Sequence, residues 1–312
     1  MMEGNIQKGK SAGSSNRILI PVDFSPKGNL AVKVGFELAR RLEDEVTLLH
    51  ASVMPDPLAT PQFPDDFYGI DNENSEIEEM ELNEEVHDLD TLRMEKLKNE
   101  ILAGQRGGEI PEVNFDTAIA PGMPEEVIAE YCAVTPPHVV VMATRGCDRR
   151  REELIGSVTA EVIDHCRASV FTVPEDYTFA GFKQIVRICT FCHLDGTDEE
   201  AVRKLMTMFS NPSVKIYLFP ATDKYKGEDL RKKLEELKAT LQSEFPASEF
   251  IDADGIEGKN LREEAENLFA KESIQMILVP NRKRNAIARF FNPGLAHKIL
   301  YEIDFPLLAI PV

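Results

Sequence analysis

The chain has 312 residues, 43% of them apolar but only 7% aromatic, with no Trp, which suits packed aliphatic cores in two domains of ordinary size. With 54 Asp and Glu against 35 Lys and Arg, the formal charge of −19 repels nucleic acid and anionic membrane surfaces over most of the molecule. No apolar run approaches the roughly 18 residues that a membrane helix needs. The N-terminal stretch MMEGNIQKGKSAGSSN has no apolar core of a signal peptide, and is expected to be a disordered tail over 1–15. The cysteines (Cys132, Cys147, Cys166, Cys189 and Cys192) are odd in number and irregular in spacing, so a reducing, cytoplasmic setting is expected rather than a disulfide framework.

Apolar runs rich in β-branched residues alternate with helix-period segments. Residues 17–22 (RILIPV) read as a strand, and 26–42 as a helix with Ser25 at its N-cap and Pro26 at its first position. Residues 45–53 (EVTLLHASV) form a second strand, 113–120 a third, 138–143 (HVVVMA) a fourth and 169–173 a fifth. Helices are expected at 124–134 and 158–166. Strands separated by helices imply right-handed parallel crossovers and a sheet covered on both faces.

The pattern then repeats, with strands at 184–192, 214–219, 249–253, 275–280 and 306–311. Helices fall at 197–209, 227–245, 261–271 and 293–303. The halves close alike, on HCRASVFTVP and YEIDFPLLAIP, and a repeat this long is strong grounds for architecture. The expectation is an α/β chain of two doubly wound domains, 16–175 and 184–312, each a five-stranded parallel sheet in the order 3-2-1-4-5. A polar joint over 175–183 connects them. One segment, 54–90, has no counterpart in the second half. It opens with Pro55, Pro57, Pro61 and Pro64 and turns acidic, the acidic part extending the next helix from about Glu76. It reads as a solvated charged face, with a lid or partner-docking element as the sharper alternative.

In doubly wound sheets ligands sit beyond the carboxyl ends of the strands, where the order reverses. Asp23 follows the first strand directly, in Pro21-Val22-Asp23-Phe24-Ser25, and can accept hydrogen bonds from ribose hydroxyls or an adenine amino group. A turn-forming Asp is the plain alternative. After the fourth strand comes Met142-Ala143-Thr144-Arg145-Gly146, then nine residues, then Gly156-Ser157-Val158-Thr159 opening a helix. A Gly-Ser helix start presents unpaired N–H groups and a positive dipole end, an anion site by construction. Arg145, Arg149, Arg150 and Arg151 crowd the loop with positive charge, and Ser157 and Thr159 are expected to add hydroxyl donors.

This arrangement resembles the universal stress protein family, whose nucleotide-binding members carry G-x2-G-x9-G-[S/T]. Here it reads Ala143-x2-Gly146-x9-Gly156-Ser157, with Ala where the first Gly stands. The resemblance spans 17–173 and, more weakly, 186–312. It implies ATP or another adenine nucleotide, with Mg²⁺, in the first domain. Pro21, Val22, Asp23 and Ala51 would hold the adenosine end, and Met142, Ala143, Arg145, Gly146, Gly156, Ser157, Val158 and Thr159 the phosphates. It also implies pairing of the last strands, here intramolecular between 169–173 and 306–311, with further homodimers and a protein partner open.

The second half departs from the motif, with His193 where Asp23 stands, Pro280 and Lys283 at the first two Gly positions, and Pro293-Gly294 at the Gly-Ser position. Proline brings no N–H to an anion nest, so no nucleotide is expected there. Cys189-x2-Cys192 lies inside a strand and reads as two buried thiols on opposite faces. No histidine pair has metal-ligand spacing, and Walker A, G-x-S-x-G, H-x-G-H and S-G-G-x-D-S are all absent from the sequence. The reading is a nucleotide-binding regulatory protein of the stress response rather than an enzyme. Its alternatives are a scaffold that binds no nucleotide and a slow ATPase switch.

Overall fold

The computed structural model describes residues 16–25, 28–53, 73–144, 157–174, 177–209, 213–221, 224–253, 261–281 and 305–312, with backbone alone at 73–85, 157 and 261–262. The tail, the Pro-rich stretch of the insertion and the helix expected at 293–303 lie outside these residues.

The first half runs β1 (Arg17–Pro21), α1 (Gly28–Leu42), β2 (Glu45–Ser52), α2 (Glu73–Gly107), β3 (Phe115–Pro121), α3 (Pro124–Val134), β4 (Val139–Ala143), α4 (Ser157–His165) and β5 (Ser169–Val173). The second runs β6 (Arg187–Cys192), α5 (Thr197–Phe209), β7 (Lys215–Pro220), α6 (Gly227–Glu244), β8 (Glu249–Asp252), α7 (Leu261–Glu272), β9 (Met276–Asn281) and β10 (Leu307–Pro311). All ten strands lie in one sheet, in the order β3-β2-β1-β4-β5-β10-β9-β6-β7-β8. Each half therefore has the order 3-2-1-4-5. Neighbours within a half are parallel. Only the seam between β5 and β10 is antiparallel, with Leu307 opposite Thr172 and Ala309 opposite Val170.

The strands are apolar on both sides because helices cover both faces. Ile18 and Ile20 of β1 point into one core with α1, α2, α5 and α6, while Leu19 points into the other with α3, α4 and α7. Cys189 and Cys192 follow the same alternation, each fully buried and in opposite cores. The cores cross the seam. Phe171 of β5 packs on Phe209 of α5 at 6.2 Å, and Asn281 at the end of β9 donates through Nδ2 to the Ile163 carbonyl of α4 at 2.5 Å.

Two expectations change here. The joint is no polar linker: Phe182 is buried between Phe171 and Phe209, and Tyr177 and Phe179 pack beside it. Three aromatics within six residues outweigh the charges around them. The strand expected from 184 begins only at Arg187, because Phe182–Gln184 form a single 3-10 turn. The acidic helix extension does form, since α2 runs back to Glu73 over 35 residues. No helix of the described residues is long and apolar enough to cross a membrane.

Gly35 lets α1 lie directly on β1. A Cβ built there overlaps Ile20 Cδ1 and falls 2.9 Å from Cγ1. Gly35→Ala gains helix propensity but overpacks the core, so a net loss of about 1–3 kcal/mol is expected in urea unfolding. Adding Ile20→Val removes the overlapping methyl, and the double variant should then lose less than the two single losses summed. Simple additivity would refute this contact as the cause.

Candidate functional site

The order of the first half reverses between β1 and β4, and the carboxyl ends of β1, β2 and β4 converge there. At the end of β1, Val22 N–H bonds Leu49 O at 2.8 Å and the Val22 side chain is buried. The exposed Asp23 then closes a tight turn, its Oδ1 accepting from Ser25 N at 3.0 Å and from Ser25 Oγ at 2.6 Å. Ser25 Oγ in turn accepts from Gly28 N at 3.2 Å, which is the cap expected for α1. Phe24, between them, takes φ of 57°, a region that non-glycine residues rarely adopt. The Asp-x-Ser turn and a ring contact with His50 (centroids 4.3 Å apart) hold it there.

Ala51 stands near the end of β2, opposite Ala120 of β3. The β1–β2 register stops at Pro21 opposite Leu49. The carbonyl that the next step would use, Val22 O, instead lies 2.7 Å from His50 Nδ1. Because that oxygen can only accept, His50 donates. One turn further, Gly122 donates to Ser52 O at 3.0 Å with φ of 135°, a conformation that favours glycine. Val53 and Met123 flank this turn, 49% and 48% exposed.

At the end of β4, Ala143 is in ordinary strand conformation opposite Val173, so the backbone there does not require glycine. Its carbonyl accepts from Thr159 Oγ1 at 3.2 Å. Thr159 is 3% exposed. The hydroxyl expected as a donor to the site here donates to Ala143 O and fastens α4 to β4. Met142 is buried, and Val158 packs against the same core, so these two side chains serve packing and only their backbone faces the strand ends. Ser157 begins α4, a nine-residue helix whose N-terminus opens on the end of β4. Arg145, Gly146 and Gly156 lie outside the described residues. Among the described residues no cluster of three His, Cys, Asp or Glu could hold a metal.

The sequence reading misses the contacts that α2 makes with the end of β2. Asp90 of α2 is 5% exposed. Its Oδ2 accepts from Ser52 Oγ at 2.7 Å and lies 3.2 Å from His50 Nε2, and Arg93 Nη1 stands 3.4 Å from Oδ1. Cys132 of α3 and Cys166, just after α4, are both buried in the same core.

The corresponding turn of the second half keeps the backbone and takes a further carboxylate. Leu194 takes φ of 58°, as Phe24 does. There, however, the buried Asp198 of α5 accepts from His193 N at 2.9 Å and Leu194 N at 2.7 Å. A carboxylate of the chain itself occupies the N–H groups of this turn. Burial pushes the Asp198 carboxyl up to about 6, and the two N–H bonds offset only part of that. A carboxyl raised on folding contributes stability below its unfolded value that is lost as pH rises through the folded one. Asp198→Asn should therefore flatten the stability curve between about pH 4 and pH 6, by about 1–3 kcal/mol. Urea midpoints of both proteins across that window test this, and parallel curves would refute it.

The model of the universal stress protein family matches residues 15–174, just over half of the chain. No curated protein matches. Among solved structures, a universal stress protein from Archaeoglobus fulgidus superposes with a TM-score of 0.58 at 13% identity, covering 96% of this chain and 99% of that one. A protein from Pseudomonas aeruginosa described as a putative universal stress protein gives 0.55 at 12% identity, covering 96% and 94%. A universal stress protein in complex with cAMP covers 53% of this chain and 100% of its own, at 14% identity and a TM-score of 0.31. With the sequence match spanning all of the first half, and the fold shared with proteins of that name, this chain belongs to the universal stress protein family.

Proposed function

We propose that the chain binds an adenine nucleotide, ATP in the first instance, in its first half only, and acts as a nucleotide-responsive regulator in the stress response. The two halves are read as tandem modules of one family, 16–175 and 184–312. The β5–β10 seam then stands in for the pairing of last strands between subunits.

The observation that carries this reading is the contrast between the two first turns. In the first half, an exposed carboxylate at Asp23 and a β2 edge that outruns its β1 partner stand together at the switch point. In the second half, Asp198 already takes the equivalent N–H groups. Asp23 would accept from ribose or the base. Ala51, one step past the β1–β2 ladder, offers a donor and an acceptor at the spacing of an adenine edge, and Val53 and Met123 supply an apolar rim. The N-terminus of α4 at Ser157, with the loop of Arg145, Gly146 and Gly156, would hold phosphates by dipole, N–H groups and charge. Mg²⁺ would come with the phosphates, there being no carboxylate cluster for it among the described residues. The site is read as a binder, with at most slow hydrolysis.

ATP titrated into the purified chain, with mass spectrometry of molecules released by heat, tests the reading. Binding at one site per chain is expected, weakened about tenfold or more by Asp23→Ala and unchanged by His193→Ala. No binding at millimolar ATP would sink it. Equal effects of the two substitutions would place the ligand elsewhere.

A further inference from the structure

We infer that His50 and Asp90 are positioning residues of the nucleotide site, and that through them the docking of α2 and the binding of nucleotide are thermodynamically linked. The inference rests on the reading proposed above and assigns a role to the insertion that precedes β3.

Asp90 is the one charged residue among the described side chains of α2 that is buried. Met94 and Ile101, further along the helix, enter the core in the ordinary way, while Leu89 and Leu92 are exposed. A buried carboxylate needs partners, and the two nearest are both on the last turns of β2. Ser52 Oγ donates to Oδ2 at 2.7 Å, and His50 Nε2 stands 3.2 Å from the same oxygen. A carboxylate that merely anchored a helix would be served by any two donors. These two sit on either side of Ala51.

His50 then carries the contact to the site. Its Nδ1 donates to Val22 O at 2.7 Å, and its ring lies against Phe24 at 4.3 Å. Val22 and Phe24 bracket Asp23. Val22 O is also the acceptor that Ala51 N–H would use if the parallel ladder went one step further, and the register stops short of it, at Pro21 opposite Leu49. The imidazole takes one lone pair of that oxygen and so holds it in place beside the Ala51 edge. Nδ1 and Nε2 both donate, to Val22 O and to Asp90 Oδ2, only in the imidazolium form, and the two contacts at opposite ends of the ring then fix its orientation. Withdrawing α2 removes the ring's second anchor, and with it the constraint on Val22 O, Phe24 and the Ala51 edge. Linkage is reciprocal, so nucleotide bound at that edge must tighten α2 by the same factor by which α2 tightens nucleotide.

The test uses the full chain and ATP, read by calorimetry and by hydrogen exchange of amides 86–107. In the parent protein ATP should slow exchange around Asp90 and Met94. Asp90→Ala should weaken ATP binding about tenfold and abolish that slowing. His50→Asn keeps a donor near Val22 O but does not reach Asp90, and should retain more affinity than His50→Leu while losing the α2 response. Should Asp90→Ala not fold, Asp90→Asn, which keeps an acceptor for Ser52, takes its place with the same expected direction. ATP affinity within twofold of the parent in the Asp90 variant, with faster exchange in α2, would show a helix anchor and nothing more, and would overturn the inference. Absence of ATP binding to the parent protein overturns the functional reading instead, so the two failures are distinct.

Discussion

A parallel strand covered by helices on both faces has no free surface along its length. Every side chain of β4 and β9 up to the last residues is buried, and each backbone group is committed to a neighbour. Chemistry is confined to the ends of the strands, and within them to the place where neighbouring crossovers leave in opposite directions. The strand order reverses once in each half of the ten-stranded sheet, and the turns after β1 and β6 are built differently.

In the first half the turn after β1 is closed by local means. Asp23 and Ser25 satisfy one another and cap α1, and Phe24 accepts a left-handed backbone to make room for that turn. The side chains stay at the surface, facing the switch point. In the second half the same backbone is closed from within, by Asp198 reaching back from α5. A buried carboxylate is an expensive plug, and its raised pKa reflects that cost. Both halves also close locally, since Asp195 Oδ1 accepts from Thr197 N and Oγ1 as Asp23 Oδ1 does from Ser25, and the second half adds Asp198 on His193 N and Leu194 N.

The seam between β5 and β10 has a second consequence. Because α4 is held at one end by Thr159 on Ala143 and further along by Asn281 on Ile163, the helix at the candidate phosphate end is tied to both halves. The second half thus helps to fix the geometry of the first. On the opposite face, α2 brings Asp90 to the end of β2. The strand ends around Asp23 are therefore braced from both faces of the sheet.

Much of the fold was legible in the chain because it is written in periods. Continuous apolar runs bounded by helix-period segments mark buried parallel strands, and their recurrence marks the second half. Asp23 and Ala51 were legible because strand ends are. Other features had no local signature. Asp90 and Ser52 are 38 residues apart, and an Asp in an acidic helix looks like a solvated charge until the helix is laid on β2. His50 reads as one residue of a strand, because its partners Val22 and Asp90 come from elements folded against it. Thr159 reads as a ligand donor beside Ser157, and only packing turns its hydroxyl toward Ala143. The aromatics of 177–182 become core only once Phe171 and Phe209 close on them. Hydrophobic periodicity is a property of neighbours in sequence, so the sequence by itself determined the strands and the helices. The partners of buried polar groups are neighbours in space, so which carboxylate stays exposed, which one closes a turn from within and which one bonds the end of β2 were decided by tertiary structure alone.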